Sequence, residues 1–149
     1  MTEAPSLATI GYERSTLDAV LAALETAGVA HLLDIRAVPS SRKPGFSKHV
    51  LAASLAARGI AYTHLRALGT PKAGRDAVRR GDPATMRRIF AAHMEGDAPQ
   101  SELAHAVAIA RSAPACLLCF ERDHTHCHRA IVADLIEQRT GQPIRHLAP

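Results

Sequence analysis

Residues 117–135, LLCFERDHTHCHRAIVADL, hold two of the chain's three cysteines and three of its nine histidines, together with Glu121, Arg122 and Arg129. Thiols, imidazoles and a carboxylate at that density can ligate a metal, carry nucleophilic and acid–base chemistry, or help to hold an anion. The metal reading is tested first. Cys116 and Cys119 have the C-x-x-C spacing of zinc sites, but such pairs sit on tight turns, and this one lies in an apolar run that reads as a strand. Side chains alternate along a strand, so Cys116 points away from Cys119 into the core, while Cys119 and Glu121 share a face. A different set, Cys119, Cys127, His128 and one of His124 or His126, is the zinc alternative. The expectation is a chain with no metal and no cofactor, because the paired-turn geometry is missing.

The catalytic reading rests on Cys119, Glu121, Cys127 and His128. Cys127 and His128 open a helix whose apolar stripe contains Ile131 and Val132, one turn further on, so both side chains lean toward the sheet. A cysteine at a helix N-terminus beside imidazoles has its thiolate favoured, which is how a nucleophile is made; buried packing is the plainer role for such a cysteine. Glu121 is either a general base or the ion-pair partner of Arg129 or Arg36, and the ion pair is expected.

Asp34 and Arg36 stand two apart in HLLDIR, about 6–7 Å along a strand, a spacing too wide for an ideal pair but suited to gripping one ligand between them. Pro39 to Arg42 reads as a turn that returns a second guanidinium to the same end. Arg36, Arg42 and Arg129, with the amides that open the last helix, then make an anion pocket to which Gly11, Tyr12, Asp34 and Ser41 contribute. Two familiar anion motifs are absent. The C-x5-R loop of cysteine phosphatases fails, since Ala133 and Thr125 stand six residues after Cys127 and Cys119, and there is no G-x-G-x-x-G or Walker sequence.

These residues must be carried by some scaffold, and the chain alternates two periods. Short apolar runs at Leu7 to Ile10, His31 to Ile35, Ile60 to His64, Cys116 to Phe120 and Ile144 to Leu147 read as strands buried on both faces. Between them lie helical patterns. One is capped by Ser15 or Thr16 and closed by Gly28; another spans Phe46 to Arg58 before Gly59; a third runs from Ser101 to Arg111; the last ends at Gly141. Strand and helix alternating in this way predict an α/β, three-layer domain: a mostly parallel sheet of about five strands with helices on both faces. Such sheets bind ligands at the carboxyl ends of their strands, where the residues named above collect.

At 149 residues, 47% of them hydrophobic and 21% charged, the chain is read as one globular domain over residues 1–149. No apolar run reaches the roughly 20 residues of a membrane span, and MTEAPSLATIGY has no basic segment followed by an apolar one, so a cytoplasmic location and no membrane partner are expected. Three cysteines fit a reducing compartment. The net charge of +4 permits attraction to phosphate without establishing nucleic-acid binding. Lys72, Arg75, Arg79, Arg80, Arg87 and Arg88 crowd one segment against Asp76 and Asp82, which reads first as a solvated helical face. With three Phe, two Tyr and no Trp there are few stacking platforms for single strands.

The order of motifs resembles the family called domain of unknown function DUF488. It is carried by TIGYERSTLDAVLAAL, LLDIRAVPSSRKPGFSKHVLAASLAARGIAYTHLRALG and LLCFERDHTHCHRAIVADLI, from about Thr9 to His146. By that resemblance the matching positions are Gly11, Asp34, Arg36, Pro39, Ser41, Arg42, Phe46, Tyr62, Leu68, Gly69, Cys119, Glu121, Cys127, His128 and Arg129. Leu68-Gly69-Thr70 stands where many relatives have a second glycine, so the loop after the third strand can differ in shape. The expectation is an enzyme acting on a phosphate-bearing substrate, a nucleotide or nucleic acid. Its rival is a non-catalytic module that binds nucleic acid or another anion.

Overall fold

The computed structural model describes residues 6–149; the first five residues, part of the stretch read above as free of a secretory signal, lie outside it. Five strands, β1 (Leu7–Gly11), β2 (His31–Asp34), β3 (Ala61–His64), β4 (Ala115–Cys119) and β5 (Ile144–Leu147), form one parallel sheet in the order β3-β2-β4-β1-β5. The helices are α1 (Leu17–Thr26), α2 (Lys48–Ala56), α3 (Lys72–Arg79), α4 (Pro83–His93), α5 (Asp97–Ser112) and α6 (His128–Thr140). This is the expected three-layer α/β domain. No helix among the described residues is long and apolar enough to cross a membrane.

Local sequence accounts for the elements. Every residue of β1 and β4 is buried, as continuous apolar strands covered on both faces must be. The hydroxyl oxygen of Thr16 accepts from the amide of Ala19 at 3.1 Å and starts α1, whose Val20, Leu21 and Leu24 turn inward. Gly141, at φ 74°, closes α6 in the left-handed conformation that favours glycine. The basic middle segment becomes two helices because the chain turns at Gly81, where φ is 77°, and restarts with Asp82 capping Thr85 and Pro83 in the first turn.

Two apolar layers hold the sheet. Ile10, Leu32, Cys116 and Leu118 pack under α1 and α2 against Leu24, Leu51 and Leu55. On the other face Leu33, Ile35 and Leu117 meet Phe90, Leu103 and Val132. Each such side chain contributes about 1.5–3 kcal/mol by leaving water. The layers also fix where a ligand can sit. β2 leads to β3 at one edge and β4 leads across β1 to β5 at the other, so the connections diverge between β2 and β4. In parallel sheets that divergence opens a crevice at the carboxyl ends of the strands.

Candidate functional site

A cleft of about 590 Å³ fills this crevice, walled by the loops after β2 and β4 and roofed in part by α3. Cys119, the last residue of β4, and Cys127, the residue before α6, meet on its floor; both are buried. Their sulfur atoms are in contact as a Cys119–Cys127 disulfide spanning Cα atoms 7.5 Å apart. The carboxylate of half-buried Glu121 joins them, so that its oxygen and both sulfurs lie within 4.8 Å of one another. Burial, and then the charge of Glu13, hold the Glu121 carboxyl above its ordinary pKa. Cys116 is fully buried on the opposite face, as strand alternation requires.

His128 turns inward. Its Nε2 lies 2.8 Å from the carbonyl oxygen of Ile35 and therefore carries the proton that this oxygen accepts, leaving Nδ1 bare at 3.5 Å from Cys127 Sγ. Burial lowers its pKa to about 4, so the ring is neutral. The zinc alternative of Cys119, Cys127, His128 and His124 or His126 is not assembled. His128 is committed to Ile35, His124 stacks on His146 at 3.6 Å, and exposed His126 stands 3.6 Å from Asp123. Beside the two sulfurs lies the Glu121 carboxylate and not an imidazole of that alternative set.

Arg129 is 1% exposed and fastens the loop after β4. Its Nε donates to Thr9 Oγ1 and its Nη2 to the Arg122 carbonyl, both at 3.1 Å, while Nη1 donates to Cys119 Sγ at 3.1 Å and to the Glu121 carbonyl. The expected ion pair with Glu121 is corrected here: Arg129 takes that residue's backbone oxygen, and among the described residues no carboxylate lies within ion-pair distance of its guanidinium. Burial lowers its pKa, against the opposing pull of Cys116, Glu121 and Asp123. Gly11 makes this arrangement possible. A Cβ there would overlap the Glu121 carbonyl and come within 2.6 Å of Arg129 Nη1.

A second correction concerns Asp34 and Arg36, read as too far apart for an ideal pair. They form a bidentate pair, Nε to Oδ1 at 2.8 Å and Nη2 to Oδ2 at 2.7 Å, with Asp34 fully buried and Arg36 nearly so. Arg36 Nη1 donates to the Tyr12 hydroxyl at 3.0 Å and to the Phe46 carbonyl at 2.7 Å, and the Tyr62 hydroxyl donates to Asp34 Oδ2 at 2.5 Å. Burial works against the Arg36 charge, but Asp34 outweighs it and raises the guanidinium pKa. Burial, and then the bond to Asp34, raise that of Tyr62. Tyr12, stacked on Phe46 at 4.3 Å, borders the cleft above this network.

Of the three arginines expected to hold an anion, Arg36 and Arg129 therefore spend most of their donors inside the protein. Arg42 stays on the cleft wall beside Ser41, whose side chain and backbone order the turn through Lys43 and Ser47. Sequence reasoning missed two more. Arg75 and Arg79 line the cleft from α3 and had been read as part of a solvated face. Their i, i+4 spacing was the available signal, since it puts both on one side of a helix. Phe120 is 45% exposed at the rim, edge-on to Tyr12 at 5.4 Å.

A family model described as domain of unknown function DUF488 matches residues 16–136. No curated protein and no solved structure matches the chain.

Proposed function

The chain belongs to the DUF488 family, whose description assigns no reaction, and from the crevice we propose that it is an enzyme acting on a phosphate-bearing substrate, a nucleotide or nucleic acid. One observation carries the proposal: Arg42, Arg75 and Arg79 line the same cleft whose floor holds Cys119, Glu121 and Cys127. Guanidinium groups at a cleft wall suit phosphate oxygens, and the sulfur–carboxylate floor is the reactive part. Exposed Phe120 offers a ring on which a base can stack at the rim. Asp34, Arg36 and Arg129 are positioning residues in this reading; they hold the two loops that form the walls.

The test is ligand-induced stabilisation. Inorganic phosphate and nucleoside mono-, di- and triphosphates are expected to raise the melting temperature of the native chain. Arg79→Ala, at an exposed position, is expected to keep the unliganded melting temperature and lose the response; Arg75→Ala also gives up the half-buried guanidinium's 2.8 Å bond to the Thr70 carbonyl, and its lost response is read against its own unliganded melting temperature. A chain indifferent to every phosphate compound overturns the proposal.

The non-catalytic reading also has an observation in its favour. A second hollow of about 480 Å³, lined by Arg66, Thr70, His93 and Glu102, adjoins the cleft, and Ala37, Val38, Thr70 and Arg75 line both. A polyanion lying along the two would be bound with a steep salt dependence, and that dependence would be unchanged by Cys127→Ser. Loss of substrate turnover in Cys127→Ser with binding retained favours the enzyme.

A further inference from the structure

The proposed substrate does not account for the carboxylate that lies against the Cys119–Cys127 sulfurs on the crevice floor, where three groups repel one another once the disulfide is reduced and all are ionised. We propose that in the reduced chain Cys119, Glu121 and Cys127 form a three-ligand site for a single thiophilic divalent cation of the zinc class, with its fourth position open to the cleft. Two thiolates and one carboxylate are a suitable donor set for such an ion, and three protein ligands with one open position is the pattern of metal sites that handle substrate. With the sulfurs joined as a disulfide, the Glu121 carboxylate oxygen already lies within 4.8 Å of both.

Charge supplies the second argument. Two thiolates and a carboxylate bring three negative charges into a mostly buried place; a divalent ion and the guanidinium of Arg129 bring three positive ones. Arg129 is 1% exposed, has no carboxylate within ion-pair distance among the described residues, and donates to Cys119 Sγ at 3.1 Å. A buried cation aimed at a sulfur is what a metal-bound thiolate requires around it: an outer partner that fixes its position and offsets its charge. Backbone spacing supplies the third. Cα atoms 7.5 Å apart stand wider than the roughly 4.4–6.8 Å of most disulfides. An ion between the sulfurs is accommodated by side-chain rotation without drawing β4 and α6 together.

The site forms in two balanced steps. A dithiol reductant gives two electrons and two protons to the Cys119–Cys127 bond and leaves as its own disulfide, producing two thiols. The cation then displaces both thiol protons to solvent. Linking the ion to a phosphoryl oxygen at the fourth position rests on the function proposed above, but binding of the ion does not.

The experiment uses the full chain, reduced with a dithiol, stripped of metal and reductant under anaerobic conditions, and titrated with Co²⁺ and then Zn²⁺. The expected result is one Co²⁺ per chain with a thiolate-to-cobalt charge-transfer absorption that Zn²⁺ abolishes, and two of the three thiols protected from alkylation by Zn²⁺. Cys119→Ser and Cys127→Ser are expected to remove the absorption, and Cys116→Ser to leave it unchanged. Arg129→Lys is expected to weaken Zn²⁺ binding by about 10–100-fold, as loss of an outer-shell partner does. The wild-type titration stands even if a floor variant misfolds: no charge-transfer absorption, or alkylation equally fast with and without Zn²⁺, overturns the site. Cation binding without any response to phosphate sustains this inference and sinks the substrate reading. A phosphate response in a chain giving no thiolate–cobalt absorption does the reverse.

Discussion

Removing the Arg36 side chain separates a structural ion pair from a ligand-binding one. Asp34 is fully buried and accepts four hydrogen bonds: from the Arg36 amide at 3.1 Å, Arg36 Nε at 2.8 Å, Arg36 Nη2 at 2.7 Å and the Tyr62 hydroxyl at 2.5 Å. Arg36→Ala deletes the two charge-assisted bonds and leaves a carboxylate held by one amide and one phenol. Each such bond contributes about 1.5–3 kcal/mol, and breaking a buried pair by removing one partner costs about 3–5 kcal/mol. The Tyr12 hydroxyl and Phe46 carbonyl lose a donor as well, while water entering from the adjoining cleft offsets part of the loss and sets the lower end of the range. For a chain of this size the expected fall in melting temperature is about 6–20 °C.

The assay is urea and thermal unfolding of wild type, Arg36→Ala, Asp34→Asn and the double variant, with and without phosphate. The double variant is expected to be more stable than the sum of the singles implies, by about 0.5–3 kcal/mol, because neither partner is left charged and alone. Arg36→Ala melting within about 2 °C of wild type, yet losing phosphate stabilisation, would refute the reasoning and return Arg36 to the ligand.

Other expectations follow from the same geometry. Gly11→Ala pushes a methyl group into the Glu121 carbonyl, so a loss of about 1–3 kcal/mol in urea unfolding is expected, together with weaker protection of the loop after β4 in hydrogen exchange. Arg79→Ala should change stability by no more than about 0.5 kcal/mol, since exposed substitutions rarely do more, whereas Arg75→Ala gives up the half-buried guanidinium's bond to the Thr70 carbonyl and should cost about 0.5–1.5 kcal/mol; a larger loss measured by urea unfolding would place these arginines in the fold's support. His146 is held below its ordinary value of 6.5, by burial first and then by the stacked His124. The unfolded chain then binds the proton more readily, so this contribution is complete above pH 6.5 and lost as pH falls through the folded value. Urea midpoints across that range should therefore drop more steeply for wild type than for His146→Gln, and parallel curves would exclude the effect.

The strands were legible as short runs between polar turns, and the observed bounds differ from the expected ones by at most a residue; burial on both faces holds for β1 and β4 but not for β3 and β5, whose residues are exposed or half-buried because both strands lie at the sheet edges. Helix starts were less so. Phe46 looked like the first residue of a helix, but its side chain stacks on Tyr12 and its carbonyl accepts from Arg36, so α2 begins only after Ser47. The error over Asp34 and Arg36 has a similar origin. Spacing of two residues places side chains 6–7 Å apart only while the strand continues, and β2 ends at Asp34. Beyond it the Arg36 amide folds back onto Asp34 Oδ1, and the guanidinium follows into a bidentate pair.

Which arginines line the cleft with donors to spare was not legible at all, and the reason is physical. Arg36, Arg42, Arg75, Arg79 and Arg129 carry the same group, and sequence spacing does not reveal which of them the fold has already supplied with acceptors. Arg129 is consumed because β1 ends in a glycine, which lets the Glu121 carbonyl approach closely enough to accept from it. Arg36 is consumed because a strand stops one residue early. Arg75 and Arg79 line the cleft from α3 while each keeps a single acceptor in the fold, the Thr70 carbonyl at 2.8 Å and the Asp76 carboxylate at 3.3 Å, a placement that depends on packing across the whole domain. Arg42, Arg75 and Arg79 thus line the cleft although none of them lies in the cysteine motif, and that motif keeps a buried cation of its own in Arg129, which donates to a sulfur where a carboxylate would ordinarily be.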